Sequence, residues 1–190
     1  MQKILLFYLG VSLFGCVGYK EPLCHERNRK DVMNFEGLFG ATYNWINGGR
    51  AEVIRMKITV ARKDRGLYTV YSDDQTSDVF TCEIGSHLYL ESRDRNLSNG
   101  GIAAHQLFQL DSTRQGSFDL VPMGTDSETL RARGIPFEIV PSDSSGGRGI
   151  DGEAANYILI DNKGLEAEDF LQLMDPLSIK LTWTALPAGS

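Results

Sequence analysis

A regular alternation of apolar and polar residues is the feature that most constrains how this chain folds. Successive side chains of a β-strand point to opposite faces, so alternation predicts a strand with one buried and one solvated face. The pattern is clearest in residues 53–61 and 177–184. Their apolar positions are Ile54, Met56, Ile58 and Val60, and Leu177, Ile179, Leu181 and Trp183.

Shorter alternating runs, separated by polar or glycine-containing turns, fill the chain between these two segments. They predict strands at residues 67–72, 79–84, 87–91, 102–110, 117–121, 137–140 and 157–161. Many short strands joined by tight turns must hide their sheet edges, and closure into a barrel does so. We therefore predict a mainly β fold, a single antiparallel β-barrel domain over residues 37–187 with about 8–10 strands. A two-sheet β-sandwich is the alternative.

Two segments depart from the strand period and predict short helices. Residues 125–133 carry a capping box formed by Thr125 and Glu128, and Gly134 follows them. Residues 165–174 begin with acidic side chains, which complement the positive end of a helix, and Pro176 follows. One or two short helices are therefore expected beside the strands.

The first fifteen residues have the composition of an export signal. Lys3 supplies a positive charge, and residues 4–15 carry no charge and are mostly apolar. This run is shorter than the roughly 20 apolar residues that a membrane-spanning helix needs. A basic start followed by a short apolar stretch is typical of a secretory signal peptide, which we predict over residues 1–15.

The end of this leader is more specific. Leu13-Phe14-Gly15-Cys16 resembles the lipobox of bacterial lipoproteins, and the resemblance implies cleavage before Cys16 and attachment of acyl chains to it. Two or three acyl chains anchor a protein stably, because each buried methylene contributes about 0.8 kcal/mol. Val17 stands where Asp is associated with retention in the inner membrane, so the resemblance implies an outer-membrane lipoprotein facing the periplasm or the surface. An ordinary cleaved signal and an uncleaved anchor are the alternatives.

The sequence holds three cysteines. If Cys16 is acylated, Cys24 and Cys82 form an even pair in an oxidising compartment, and we predict a disulfide between them. The alternative is two separate thiols, with Cys82 as a small buried residue. Residues 16–36 are polar without a clear period, so we predict a tether between the anchor and the barrel.

Composition and motif spacing argue against several functions. Nineteen basic residues stand against 25 acidic ones without a basic patch, which argues against nucleic acid as a partner. The histidines His25, His87 and His105 lie far apart and show no metal-ligand spacing. No Gly-x-Ser-x-Gly nucleophile elbow occurs. We therefore predict no catalytic residues, no metal, no cofactor and no enzymatic activity.

A barrel of this size holds one small ligand or is filled by side chains. Six residues are candidates to line a ligand cavity, although aromatic residues in barrels are more often core: Tyr43, Trp45, Tyr68, Phe80, His105 and Trp183. The first functional hypothesis is non-enzymatic binding of a small apolar ligand or lipid. The alternative is a periplasmic protein-interaction or inhibitor lipoprotein that acts through loops 92–101 or 142–152.

Three segments also resemble a group of uncharacterised small bacterial lipoproteins with a lipocalin-like outline. They are LYTVYSDDQTSDVFTCEIGSHLYLES (67–92), IAAHQLFQLD (102–111) and YILIDNKGLEAEDFLQLM (157–174), and the resemblance covers residues 37–175. It implies a lipocalin-like β-barrel tethered to the cell envelope, and it implies no known reaction.

Overall fold

The fold is taken from a computed structural model, which describes residues 17–47, 50–72, 75–94, 104–113, 116–141, 156–177 and 180–187. The predicted signal peptide and Cys16 lie outside these residues. The strands are β1 (Val17–Tyr19), β2 (Gly37–Asn47), β3 (Arg50–Asp64), β4 (Leu67–Ser72), β5 (Gln75–Ile84), β6 (His87–Asp94), β7 (Ala104–Thr113), β8 (Ser117–Gly124), β9 (Phe137–Pro141), β10 (Asn156–Ile160), β11 (Asp175–Pro176) and β12 (Lys180–Ala185). The helices are α1 (Ser127–Ala132) and α2 (Ala167–Leu171).

Eight strands form a closed antiparallel barrel. Each strand from β2 to β8 pairs with the next one along the chain. Strand β12 lies between β8 and β2 and closes the sheet on itself. The predicted mainly β barrel with two short helices is therefore confirmed, and the β-sandwich alternative does not apply.

The alternation that predicted the strands corresponds to burial in the barrel. In β3, Ile58 and Val60 are buried while Lys57 and Thr59 are exposed. The predicted two-residue turn between β5 and β6 is also present, because Ile84 pairs with His87 across it.

The core of the barrel lies on one face of its sheet. Directly paired residues on neighbouring strands share a face, and Trp183 pairs with both Ala41 and Phe118, which are buried. The register and burial assign these residues to the inner face: Phe39, Ala41, Ile58, Val60, Tyr68, Val70, Phe118, Leu120, Leu181 and Trp183.

The described residues divide into two compact units. We call the first the barrel unit, and its residues are 23–93, 107–123 and 176–187 as far as they are described. The second unit holds residues 17–22, 104–106 and 124–175 within the described ranges. This division places part of the predicted tether in each unit.

The second unit is built around β1. This strand pairs in parallel with β10, and β10 pairs with β9 in the antiparallel sense. Val17 and Tyr19 are buried, and Tyr19 also pairs with His105. Residues 17–19 are therefore a strand of the folded protein and not part of a polar tether, because β10 satisfies their backbone and the unit buries their side chains.

The two helices differ in detail from their predicted forms. The predicted capping box of Thr125 and Glu128 is wrong, because Asp126 is the N-cap and its carboxylate accepts from the backbone N–H groups of Glu128 and Thr129 at 2.8 Å each. Helix α2 ends at Leu171, and Pro176 belongs to β11 instead of terminating it. Within the described ranges, no helix is long and apolar enough to cross a membrane.

Candidate functional site

A segment of the barrel unit that precedes β2 is tied to the barrel at several points. We call residues 23–35 the strap. A disulfide joins Cys24 of the strap to Cys82 of β5, with Cα atoms 5.3 Å apart and the two residues 58 positions apart in sequence. Both cysteines are buried. The predicted cysteine pair is thus present in the fold.

A buried carboxylate holds the start of the strap. Glu91 of β6 is fully buried, and its two oxygens accept from the backbone N–H groups of Leu23 at 2.9 Å and Cys24 at 3.0 Å. A carboxylate away from water needs such donors to compensate for lost hydration. Glu91 is therefore a hydrogen-bond acceptor of the barrel wall that binds the backbone of the strap.

The middle of the strap extends the sheet beside β5. Thr81 donates its backbone N–H to Gly66 at 2.8 Å, where β4 begins. From Thr81 onward along β5, the strap is the partner: Lys30 donates its N–H to the Thr81 carbonyl at 3.0 Å, and Glu83 donates its N–H to the Asn28 carbonyl at 3.0 Å. The strap therefore pairs with β5 beyond Phe80, where β4 no longer reaches because it begins at Leu67.

The turn between β3 and β4 fits closely under the strap. Gly66 has a φ of +59°, and a Cβ there would lie 2.6 Å from the Thr81 carbonyl oxygen and 2.9 Å from the Arg29 Cβ. Its N–H donates to the Asp31 carboxylate at 2.9 Å, which also receives the Arg62 guanidinium at 2.6 Å. Glycine is required here by both the backbone conformation and the contact with the strap.

The end of the strap places a ring inside the barrel. Phe35 is fully buried and stacks on Trp183, with ring centroids 5.6 Å apart and planes inclined by 13°. The rings of Tyr68 and Phe118 meet it edge-on at 5.1 and 5.0 Å. We call Phe35, Phe39, Tyr68, Phe118 and Trp183 the ring cluster.

The structure brings only some of the predicted ligand-binding residues together. Tyr68 and Trp183 share the ring cluster. Phe80 follows the inward-facing Val79 and lies on the opposite face of β5, where the Arg29 guanidinium covers its ring at 4.5 Å. Phe80 therefore does not face the interior of the barrel.

The remaining three candidates lie elsewhere. His105 belongs to the second unit, where it is buried and stacks on Tyr19 with ring centroids 5.7 Å apart. Tyr43 and Trp45 belong to β2, but their side chains lie outside the described part of the structure. The six candidates therefore do not form one observed cavity.

Sequence reasoning missed the two residues that organise this site. Phe35 is the only Phe, Tyr or Trp of residues 20–36, a polar stretch without period, and nothing there marks it as buried. Glu91 is the last residue of the strand predicted at residues 87–91, a place where a charged residue normally faces water, whereas in the structure it lies inside β6. Its role depends on the backbone of the strap, because Leu23, which donates to it, lies 68 positions earlier in the sequence.

Two further groups have shifted acidities. Burial raises the pKa of the Tyr89 phenol, and the negative charge of Asp111 raises it further, so this phenol stays neutral at neutral pH. In the second unit, the hydrogen bond from Lys20 to Glu138 raises the pKa of the Lys20 amine. Within the described ranges, no group of three or more His, Cys, Asp or Glu side chains is placed to hold a metal ion.

Comparisons with known proteins add no relative to this picture. No family model matches the chain, no curated protein matches its sequence, and no solved structure matches its fold. The resemblance to the group of small bacterial lipoproteins therefore stays a prediction.

Proposed function

We propose that this protein is a lipid-anchored, non-enzymatic protein of the bacterial cell envelope, belonging to the lipocalin-like lipoprotein group. The observation that supports the proposal is the order of the leader: Lys3, an uncharged apolar run, and then Leu13-Phe14-Gly15-Cys16. Acyl chains on Cys16 hold the protein at the outer membrane, facing the periplasm or the surface.

Replacing the acylated cysteine tests the anchor. We expect Cys16→Ser to move the protein from the membrane fraction to the soluble fraction, because no thiol remains for lipid attachment. Mass spectrometry of the amino-terminal peptide of the native protein should show the added acyl mass. A Cys16→Ser protein that stays with the membrane would contradict the proposal.

A second substitution tests the choice of membrane. We expect Val17→Asp to shift the protein from the outer-membrane to the inner-membrane fraction of a density gradient, while its acylation is unchanged. Because Val17 is buried in β1, the circular dichroism spectrum of the variant must first match that of the native protein. Identical distribution of the native and Val17→Asp proteins would count against the outer-membrane assignment.

The role of the barrel in this proposal is binding of a small apolar ligand or lipid. Its support is the ring cluster, in which Phe35 is supplied by the strap and the other rings by barrel strands. Native mass spectrometry of detergent-extracted protein should show a bound small molecule that denaturation releases. A mass equal to that of the acylated chain alone would contradict ligand binding.

One observation favours the alternative role in protein interaction. Ile139 of β9 is half exposed, and β10 is the only sheet neighbour of β9 among the described residues. Such an edge can add a strand from another chain. Residues 95–101 and 142–152 of the two candidate loops lie outside the described residues. In a pull-down from envelope extracts, Ile139→Lys or deletion of residues 142–152 should remove a bound protein, and an unchanged set of proteins would reject this role.

A further inference from the structure

We propose that Phe35 occupies, as a part of the chain itself, a binding site for the flat aromatic ring of an apolar ligand, and that residues 32–36 move to release it. This inference rests on the proposed apolar-ligand role and names the ligand class. It assigns to the strap a second task beyond stability, which is to fill the site while the ligand is absent.

The geometry around Phe35 is that of a slot for a flat ring. Trp183 offers a nearly parallel face, with planes inclined by 13°, whereas Tyr68 and Phe118 present themselves at 85° and 88°. Stacked and edge-to-face contacts are the arrangements that aromatic pairs prefer. A flat aromatic ring matches the Trp183 face and the two edge-on rings together, so the slot favours aromatic rings over saturated rings and acyl chains.

One of the rings that contact Phe35 also carries a polar group. The Tyr68 hydroxyl accepts the backbone N–H of Val32 at 3.0 Å. When residues 32–36 move away, this hydroxyl becomes available to a ligand, and a hydroxyl both donates and accepts. The preferred ligand therefore carries a small polar substituent on its ring, as a phenol does.

The local backbone allows Phe35 to leave without release of the whole strap. The disulfide at Cys24 and the hydrogen bond from Gly66 to Asp31 hold the part before residue 32. Positive φ angles flank Phe35 on both sides, 61° at Asn34 and 130° at Gly37. A non-glycine residue at positive φ is uncommon and lies at a turn where the chain can change direction.

The exposure of the neighbouring residue supports the same conclusion. The side chain of Met33 is 82% exposed, so it contributes little to holding this loop in place. The Phe35 N–H reaches the Val32 carbonyl only at 3.3 Å, which closes a local turn and adds no tie to the barrel. Of residues 33–36, Phe35 is buried and the other three are exposed.

The test measures binding of 4-methylphenol to detergent-extracted protein by calorimetry, with 4-methylcyclohexanol as the non-aromatic counterpart. The native protein should bind the phenol weakly because Phe35 competes for the slot. Phe35→Ala removes the competitor and should bind it at least tenfold more tightly, with a clear preference over the cyclohexanol.

A second variant keeps the ring cluster complete. Asn34→Ala places an unfavourable residue at φ 61° and should favour the open loop, so we expect several-fold tighter phenol binding than in the native protein. Gly85→Ala is the matched control, because it introduces the same strain at φ +60° in the β5–β6 turn. It should leave binding unchanged.

Three outcomes would overturn the inference. The first is that neither Phe35→Ala nor Asn34→Ala binds the phenol more tightly than the native protein does. The second is equal binding of phenol and cyclohexanol, which would indicate a plain cavity. The third is an equal gain for Phe170→Ala, which removes a buried ring from the second unit. If native mass spectrometry still shows a bound ligand that these variants do not affect, the apolar-ligand role stands and only the ring slot fails.

Discussion

Residues 17–22 and the strap follow one another in the chain, yet they are held in two different ways. The first segment belongs to the second unit and the strap belongs to the barrel unit. Each buries one ring completely, Tyr19 in the first and Phe35 in the second. The comparison shows two ways in which a segment that precedes the barrel strands is held in place, by backbone pairing or by side-chain contacts.

Backbone pairing holds residues 17–22. Strand β1 lies against β10 in a regular parallel register, and Lys20 continues it by donating its N–H to the Ile160 carbonyl at 3.1 Å. Asn162 then brackets Glu21, since its side chain accepts the Glu21 N–H and donates to the Glu21 carbonyl, both at 2.8 Å. Side chains add to this pairing, since the Lys20 amine donates to Glu138 at 2.7 Å and the Tyr19 ring stacks on His105, but most of the ties of this segment are made by its backbone.

The strap depends on particular side chains. The Glu91 carboxylate and the Tyr68 hydroxyl accept from N–H groups of its backbone. The disulfide and the Asp31 carboxylate, which accepts from the Gly66 N–H, tie strap side chains to the barrel. Lys30 adds a surface ion pair with Glu83, and exposed pairs of this kind contribute little. We therefore expect the strap to be the more sensitive of the two segments to single substitutions.

Removal of the disulfide should have the largest effect. Cys24→Ala combined with Cys82→Ala opens a loop of 58 positions and should lower the free energy of unfolding by about 4 kcal/mol in the chain-entropy model. Denaturant titration measures the loss, and limited proteolysis should cut residues 23–35 before residues 17–22. Cleavage in residues 17–22 before cleavage in the strap would contradict the proposal that the disulfide stabilises the strap more than residues 17–22.

The glycine under the strap should come next. Gly66→Ala combines an unfavourable positive φ with contact below 3.0 Å to the strap, and we expect a loss of about 3 kcal/mol. Gly85→Ala has the same φ with no atom within 4 Å of the added Cβ, so it should cost only about 1 kcal/mol. Equal losses of unfolding free energy in the two variants would show that the strap does not press on this turn.

Glu91 and Asn162, whose side chains bind the backbones of the strap and of residues 17–22, allow a direct comparison of the two segments. Glu91→Gln leaves one N–H of the strap without its acceptor, and Asn162→Asp leaves the Glu21 carbonyl without its donor. Each should cost about 2 kcal/mol. Hydrogen exchange should locate the first loss in residues 23–24 and the second in residues 20–22. Exchange that rises in both segments for either variant would mean that they are not held independently.

The smallest effect concerns pH and the second unit alone. The hydrogen bonds to Asp126 from Thr129, and then from Glu128, hold its pKa below the ordinary value of 3.8. Because the folded pKa is the lower one, this stabilisation is present above the ordinary value and disappears as the pH falls through the folded value. Once the intrinsic pH dependence of amide exchange is divided out, exchange in α1 should therefore increase below pH 3.8.

The matched variant for this effect is Asp126→Asn, which keeps a good N-cap and removes the titrating group. Its α1 exchange should lack the added rise at low pH. The strap should behave alike in the two proteins, and a change confined to the strap would contradict the assignment of Asp126 to the second unit.

The elements that the sequence predicted well depend on neighbouring residues. The β5–β6 hairpin followed from alternation on both sides of Gly85 and Ser86, and the pairing of Cys24 with Cys82 followed from an even cysteine count once Cys16 was set aside. The capping box failed because two adjacent residues, Thr125 and Asp126, both have suitable side chains. Backbone geometry decides which of the two reaches the free N–H groups.

The candidate site was predicted only in part. Tyr68 and Trp183 both contact Phe35 in the ring cluster, but Phe80 lies on the outer face even though it stands in the same kind of alternating strand. Alternation separates two sets of residues and does not say which set faces inward when the strap covers part of the outer wall. Phe35 escaped detection because its burial comes from rings that lie in distant strands.

By itself, the sequence determined the strand period, the turns, the closed antiparallel barrel as the preferred fold, the cysteine pair and the leader that predicts an envelope lipoprotein. These follow from local rules, because side-chain direction repeats every two residues and turns need particular residues. Only the tertiary structure decided that residues 17–35 are folded, that they divide between two units, and that Glu91 and Phe35 hold the strap. Those outcomes depend on contacts between residues far apart in sequence, which no local pattern records.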